Sequence, residues 1–409
     1  MRIATSQFYT QNIELMNNQE SQLSELYQQV ASGNTLLTAA DDPLGAAQAV
    51  QLSATSATLA QYSSNQSSAL SSLQLEDKTL SSVTSVLNSV IPSLTGAING
   101  TLSDSDRSAL AAQLQGQRDT LLQLANTTDG TGNYLFAGLQ SGNQPFTNSP
   151  SGGVTYSGDT GQRTVQISDS VSVSIGDSGN SVFTSVPALG SLAVPASNPN
   201  NTGTGTIGVI TGGTPGDPTN NHAFTVTFGG TASAPTYTVT DNSTTPPTVG
   251  AAQTYTAGSA IKIGSQSMIV SGNPAPGDTF TLTPATQAGG DMIGALDAAI
   301  AALKQPVGSG AAASATLNNA LTTALTKMQN AVANVTTVQA SVGGREQEVQ
   351  SMQTITSTNS LQITSNLTDI TQANMPAAIT QLLQVQNSLT AAQEAFSKVQ
   401  GLSLFQFLS

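Results

Sequence analysis

The feature that most constrains this 409-residue sequence is a narrow apolar stripe at each end, whose members step mostly by three and four residues. Near the start the stripe is formed by Tyr9, Ile13, Met16, Glu20, Leu23, Tyr27 and Val30, most of which are apolar. Near the end it is formed by Met375, Ile379, Leu382, Leu389 and Phe396. Such stripes bury little surface and are typical of helices that pack along partner helices rather than around one compact core. We therefore predict that these apolar positions are assembly contacts.

Similar stripes extend inward from both ends and predict further helices. On the N-terminal side they run through Leu59, Tyr62, Gln66, Ala69, Leu73, Glu76, Leu80, Val83 and Leu87, and then through Leu110, Leu114, Leu121 and Leu124. On the C-terminal side they run through Leu317, Leu321, Ala324, Met328, Ala331, Val335, Val338 and Val342, and then through Val349, Met352, Ile363, Leu367 and Ile370. Pro376 is predicted to kink the last helix, because proline removes a backbone donor.

The middle third has a different composition, rich in Gly, Thr, Pro and Val, with boundaries near Gly138 and Ala288. Alternating β-branched and aromatic residues predict short antiparallel strands in this third. These strands are Val154–Tyr156, Thr164–Ile167, Phe224–Phe228, Tyr237–Val239 and Phe280–Leu282. Pro195–Asp217 is rich in Asn, Thr, Gly and Pro, and is predicted to be a loop or a link between two β subdomains.

Together the patterns predict an α+β multidomain protein. Long terminal helices form an antiparallel coiled-coil or bundle rod, and a mainly antiparallel β domain is inserted between them. We expect an axial helix and linker over residues 1–43 that pairs with a second axial helix over 360–409. The rod domain is predicted to take 44–138 and 288–359, and the inserted β domain 139–287.

Composition argues against several classes of function. Lys+Arg 10 against Asp+Glu 23 give a net charge of -13, which repels phosphate backbones and anionic membranes, so nucleic-acid binding is not expected. With no cysteine and one histidine, the usual ligands and bases of metal and catalytic sites are missing, and we expect neither cofactor nor enzymatic activity. No uninterrupted apolar stretch reaches about 18 residues, and Met1–Met16 is polar, so neither membrane insertion nor Sec-type export is expected.

Three motifs each allow a functional interpretation and a purely structural one. Gly203–Gly208 matches the dinucleotide-binding fingerprint, but no strand precedes it and no helical pattern follows, which favours a turn-rich loop. His222 has no evident Asp or Ser partner in the sequence and is not expected to act in catalysis. Asp104 and Asp106 resemble the start of a calcium loop, yet the later ligands are missing, so they are predicted to cap the helix that contains Leu110.

Asp41-Asp42-Pro43 is a strong helix start. Asp42 is predicted to be the N-cap, and Pro43 suits the first helical position. A metal-binding pair of carboxylates is the alternative, although no third ligand lies nearby in the sequence.

The last nine residues concentrate large apolar side chains where most proteins are polar. Exposed, such a tail would aggregate, whereas buried in an assembly it would be an anchor. We therefore add Leu402, Leu404, Phe405 and Phe407 to the predicted assembly contacts.

These motifs resemble the flagellin superfamily, and within it the hook-associated proteins of the hook–filament junction. The matching segments are Met1–Thr5, Ala31–Gly33, Ala40–Ala47, Gly132–Gly138, Pro145-Phe146, Tyr156–Asp159, Gly401–Phe405 and Phe407-Leu408. The resemblance covers both ends of the chain. It implies a rod-like subunit with paired terminal helices inside an axial structure and an outward β domain.

The resemblance also implies partners. These would be a hook-side hook-associated protein, flagellin, further copies of the same chain in a ring, and an export chaperone. It implies an extracellular location in the bacterial flagellum, reached by type III export without a cleavable signal. Two alternatives stay open: filament flagellin itself, and an extracellular glycan-binding adhesin or enzyme with a helical stalk.

Overall fold

The computed structural model describes residues 2–99, 102–149, 153–187, 190–306 and 310–405, with side-chain positions for all of these except 2–6, 8 and 400–405. The chain divides into two compact units. The terminal unit consists of Met1–Asn65 and Met352–Ser409, and the central unit consists of Gln66–Ser351.

Long helices make up both ends of the chain. The helices are α1 (Arg2–Ser32), α2 (Pro43–Asn99), α3 (Asp104–Ala125), the single turn α4 (Ala285–Ala288), α5 (Met292–Lys304), α6 (Ala311–Thr371) and α7 (Met375–Phe405). Among the described residues, no helix combines the length and the apolar character needed to cross a membrane. α2 and α6 each contribute residues to both units.

In the terminal unit, α1 packs antiparallel to α7. The rings of Tyr9 and Phe396 meet edge to face with centroids 5.6 Å apart near one end of the pair. Near the other end, the backbone N–H of Thr35 donates to the carbonyl oxygen of Thr371 at 2.9 Å. The predicted antiparallel pairing of terminal helices is therefore present.

Helices of the central unit bury most of the apolar residues of their stripes. α2 buries Leu73, Leu80 and Leu87 completely, as its predicted stripe requires. Gln117 of α3 donates to the Ser89 hydroxyl of α2 at 2.8 Å, and α3 also packs along α5.

The β region lies within the central unit, and all its strand pairs are antiparallel. Its strands are β1 (Phe146–Asn148), β2 (Val154–Tyr156), β3 (Thr164–Gln166), β4 (Ser172–Ser174), β5 (Val194–Ser197), β6 (Thr206–Thr211), β7 (Phe224–Thr231), β8 (Ala234–Asp241), β9 (Thr248–Val249), β10 (Gln253–Thr254), β11 (Ala260–Ile263), β12 (Gln266–Ser271) and β13 (Thr279–Thr283). β1 pairs with β2 and β3 with β4. A larger sheet has the order β10-β8-β7-β13-β5, with β9 also paired to β8, and a second has the order β11-β12-β6.

The two larger sheets share one apolar core and so form a sandwich. In this core the ring of Phe228 meets those of Tyr255 and Phe280 edge to face, with centroid distances of 4.9 and 5.6 Å respectively. The second sheet contributes Ile261 and Met268. Inward-facing residues alternate with partly exposed threonines along β7 and β13, which is the pattern from which these strands were predicted.

The prediction of a loop or link over Pro195–Asp217 is wrong, because β5 and β6 lie in this segment. The glycines of the fingerprint-like motif allow close packing. A Cβ on Gly203 would lie 2.3 Å from the backbone nitrogen of Ala275, and one on Gly205 would lie 2.9 Å from the ring of Phe280. Close approach of backbone at Gly203 and of an aromatic side chain at Gly205 therefore accounts for these two glycines.

The predicted kink at Pro376 is also wrong. α6 ends at Thr371 and α7 begins at Met375, so the proline occupies the first turn of a new helix. The first turn tolerates proline because its N–H groups have no intrahelical acceptor.

Candidate assembly surface

The predicted contact residues of α1 and α7 differ in exposure. On α1, Tyr9, Met16, Leu23 and Val30 are half-buried, whereas Ile13 and Tyr27 are exposed. On α7, Leu382 is buried, Leu389 and Phe396 are half-buried, and Ile379 is exposed. Leu402, Leu404 and Phe405 lie in the last turns of α7, but their side chains are outside the described positions, and Phe407 is outside the described residues. The stripe thus has members inside the terminal unit and members open to solvent.

The terminal unit has almost no core of its own. Among its described residues, the buried hydrophobic side chains are Ala49, Ala378 and Leu382. Ten of the thirteen exposed large hydrophobic residues of the described chain lie in this smaller unit: Ile13, Leu15, Tyr27, Leu44, Val50, Ile355, Leu361, Ile379, Leu383 and Val399. Sequence reasoning missed seven of these, because they lie off the stripe or at positions whose exposure no sequence pattern reveals. Exposed large hydrophobic residues are thus concentrated in the terminal unit.

Backbone contacts hold the residues after α1 against the short segment that connects α6 to α7. Gly33 adopts a φ of 74°, the left-handed conformation that ends many helices and favours glycine. Its carbonyl accepts a hydrogen bond from the N–H of Ala373 at 2.9 Å, and Asn34 forms a β-bridge with Gln372. This arrangement gives a local reason for the glycine that follows α1.

Asp42 lies at the start of α2, which begins at Pro43. Its Oδ1 accepts hydrogen bonds from the N–H groups of Leu44 at 3.1 Å and Gly45 at 3.0 Å. A Cβ on Gly45 would lie 2.3 Å from Asp42 Oδ2, so the glycine leaves room for the carboxylate. The geometry of this helix start therefore explains why the motif contains Asp42, Pro43 and Gly45.

Asp41 orders the preceding turn. Its carboxylate accepts from the Thr38 N–H at 2.7 Å and from the Thr38 hydroxyl at 3.0 Å. These hydrogen bonds, the backbone one foremost, hold the pKa of Asp41 below its ordinary value. Both carboxylates of the pair thus bond to the chain itself, and the described residues contain no group of three or more His, Asp and Glu that could hold a metal.

Two other predicted motifs have local partners. The helix α3 begins with a capping box, in which Ser103 accepts from the N–H of Asp106 and Asp106 accepts from the N–H of Ser103, both at 3.2 Å.

His222 does have an acidic partner, contrary to the sequence interpretation, since its Nδ1 lies 2.7 Å from Asp241 Oδ2. Pairing of β7 with β8 brings these residues together across 19 positions, which sequence spacing alone does not show.

Comparison with known proteins agrees with this architecture. Residues 3–141 match the model of the bacterial flagellin N-terminal helical region. Flagellar hook-associated protein 3 of Escherichia coli (strain K12) is 28% identical over 99% of both chains. The crystal structure of Xanthomonas campestris FlgL is 28% identical, with a TM-score of 0.67 over 76% of this chain and 98% of that one. The flagellar junction protein FlgL from Legionella pneumophila is 25% identical, with a TM-score of 0.67 over 80% of this chain and 100% of that one. The resemblance inferred from the sequence is confirmed.

Proposed function

We propose that this chain, a homologue of flagellar hook-associated protein 3 within the flagellin superfamily, is a structural subunit that joins the hook side of the bacterial flagellum to its filament. The homologues are structural flagellar proteins, and we extend this to a subunit without catalytic activity. The proposal is carried by the exposure pattern of the terminal unit, which contains ten of the thirteen exposed large hydrophobic residues of the described chain and has few buried ones.

The ten exposed large hydrophobic residues of the terminal unit, named here the apolar face, support contacts with several neighbours. Burying one large apolar side chain completely is worth about 1.5–3 kcal/mol, so covering ten that are roughly half exposed gives about 10 kcal/mol. Association itself costs about 4–15 kcal/mol. The two quantities are similar, so a contact that covers only part of the face would be weak. Neighbours on several sides would cover all of it.

We assign the remaining predicted partners to the terminal unit. A hook-side hook-associated protein and flagellin would contact the two axial ends, and further copies of the chain would flank it in a ring. An export chaperone would cover the face before assembly. The axial segments 1–43 and 360–409, with the predicted contacts on α1, α7 and the C-terminal tail, would form the inner part of the rod. Type III export without a cleavable signal would bring the subunit to its extracellular site.

A deletion strain tests the junction role directly. Loss of this gene should leave hooks on the cells, abolish filaments and release flagellin into the medium, as seen by electron microscopy and immunoblotting. Filaments that persist on the mutant would contradict the junction role. Disappearance of filaments without flagellin in the medium would favour the alternative that this chain is the flagellin.

Matched variants then test the apolar face. Val50→Asp and Leu361→Asp each place a charge on a residue that is 71% exposed in the terminal unit. Val209→Asp is the control, because Val209 is 68% exposed on β6 of the central unit. The first two should fail to restore filaments in the deletion strain although the secreted protein is folded, and the control should restore them. Equal restoration by all three would refute the role of the face.

A further inference from the structure

Polar side chains of α2 and α6 hold the backbone of Ile167–Thr184, named here the docked segment. From α2, Gln66 Nε2 donates to the Ile167 carbonyl at 2.7 Å, and Glu76 Oε1 accepts from the Asp177 N–H at 2.9 Å. From α6, Asn334 donates to the carbonyl oxygens of Ser181 and Val182 at 2.8 and 2.9 Å, and Arg345 donates to that of Ser174 at 3.1 Å. The segment is therefore fastened to both long helices along its length.

Three ionisable groups meet at the centre of this attachment. Glu76 is completely buried, Asp177 is buried, and the Arg345 guanidinium forms an ion pair with Asp177. Gln162 also donates to Asp177 Oδ1 at 2.7 Å. Asp177 thus has a cation and an amide donor, whereas Glu76 has one backbone N–H. The second carboxyl oxygen of Glu76 is buried without a hydrogen-bond partner in the described part of the chain.

The charges in this cluster do not balance when Glu76 is ionised. One guanidinium then faces two carboxylates, and a buried carboxylate without its own cation is costly. The groups that act on Glu76 are Asp177 from the docked segment and Arg345 from α6. Asp77 and Glu346 lie next to these residues on α2 and α6, and they add negative rather than positive charge. Burial first, and then the charge of Asp177, raise the pKa of Glu76 to about 7.

We propose that Glu76 is a proton-binding site that controls how firmly the docked segment is attached to α2 and α6. With a proton on Glu76 the cluster is electrically neutral and the segment is held. Without the proton, a buried negative charge opposes attachment, and the segment opens more often. The held state binds the proton more tightly than an open state in which Glu76 meets water. Attachment is therefore strongest below the ordinary glutamate pKa of about 4.5, weakens as pH rises, and levels off above about 7.

Hydrogen exchange of the full chain, followed by mass spectrometry and corrected for intrinsic rates, measures this opening. Protection of peptides from the docked segment should fall about tenfold between pH 6 and pH 8. Peptides from β12 in the sandwich should keep constant protection over the same range. Flat protection of the docked segment in the wild-type protein would overturn the proposal.

Two variants identify the group. Glu76→Gln mimics the protonated side chain and should give protection that no longer changes with pH. Asp77→Asn removes the adjacent carboxylate, whose Oδ1 accepts from Gln339 at 2.9 Å, and should keep the wild-type pH dependence. Loss of the pH dependence in Asp77→Asn, or its persistence in Glu76→Gln, would contradict the assignment.

A direct titration serves as a second readout that needs no stable variant. The chain has seven glutamates, so selective ¹³C labelling of their carboxyl carbons gives few NMR signals. We expect one signal to titrate near neutral pH, well above the ordinary range. Titration of all seven signals below pH 5.5 would show that Glu76 is ionised over the whole range from pH 6 to pH 8, and would refute the proposal.

Discussion

The ion pair between α3 and α5 should contribute measurably to the stability of the central bundle. Arg118 Nε lies 2.9 Å from Asp297 Oδ1, and Nη2 donates to Asp297 Oδ2 at 3.2 Å. The Arg118 side chain is 6% exposed and that of Asp297 is 25% exposed. Arg118 also lies 3.3 Å from Asp119, whose side chain is 59% exposed. The two aspartates therefore offer a matched comparison on one arginine.

Asp297→Ala removes a two-point contact and leaves a buried guanidinium with a weaker partner. Breaking a fully buried pair costs about 3–5 kcal/mol. Partial exposure of Asp297 and the remaining contact with Asp119 reduce this, and we expect about 2 kcal/mol. Asp119→Ala removes a solvent-exposed pair, which is worth about 0–1 kcal/mol.

Native-state hydrogen exchange of peptides from α3 and α5 is the assay. A loss of about 2 kcal/mol corresponds to a roughly thirtyfold fall in protection. Asp119→Ala should change protection less than fivefold. Equal effects of the two substitutions, or no effect of Asp297→Ala, would refute the assignment of the stabilisation to the buried contact.

Four further predictions concern α2, α3 and the C-terminal tail. Gly45→Ala should displace the Asp42 carboxylate and destabilise the start of α2 by about 1 kcal/mol. By contrast, Gly116→Ala, which meets no atom within 4 Å, should stabilise α3 by about 0.5–1 kcal/mol in thermal unfolding. Hydrogen bonds from Ser103 lower the pKa of Asp106 below its ordinary 3.8, so the capping box should hold above that pH and be lost as pH falls through the lowered value. Ser103→Ala should weaken that acid dependence in hydrogen exchange of α3. Replacing Leu404, Phe405 and Phe407 with Asp should block filament assembly while circular dichroism of the central unit stays unchanged, and normal filaments would contradict the anchoring role.

The helical ends could be predicted because their pattern has a physical cause that acts locally. Leu73, Leu80 and Leu87 recur every seven residues, and each is completely buried in the structure. The start of α2 could be anticipated for the same reason, since Asp42 and Pro43 act within one turn. Which apolar residues are left without a partner is a different question. Val50 and Leu361 resemble core residues in the sequence, and tertiary packing alone makes them exposed.

The β region was harder to predict, because its strands depend on distant residues. β6 buries few of its side chains, and its Ile207 N–H donates to Asn319 of α6, 112 positions away, at 2.7 Å. Local composition around β5 and β6 is typical of turns, and the strands form because the sandwich supplies their partners. His222 and Asp241 meet for a similar reason at the ends of paired strands.

A row of neutral polar residues on α6 explains how a chain with 8% charged residues holds its β region in place. Asn319 donates to the Gly205 carbonyl at 3.0 Å, Thr323 to that of Pro195 at 2.7 Å, and Asn330 to that of Leu192 at 2.7 Å. Asn319 and Asn330 also accept backbone N–H groups through their Oδ1 atoms at 2.7 and 2.8 Å.

An amide can donate and accept at once, and its burial costs less than that of a charge. Irregular backbone exposes both N–H and C=O groups that need partners when buried. The spacing of these positions by four and seven residues keeps them on one face of α6, beside the stripe that fills the helical core. α6 thus packs in the helical bundle through its apolar stripe and holds the β region through its amide side chains. Charged side chains would suit the asparagine positions less well, because lysine lacks an acceptor and carboxylates lack a donor.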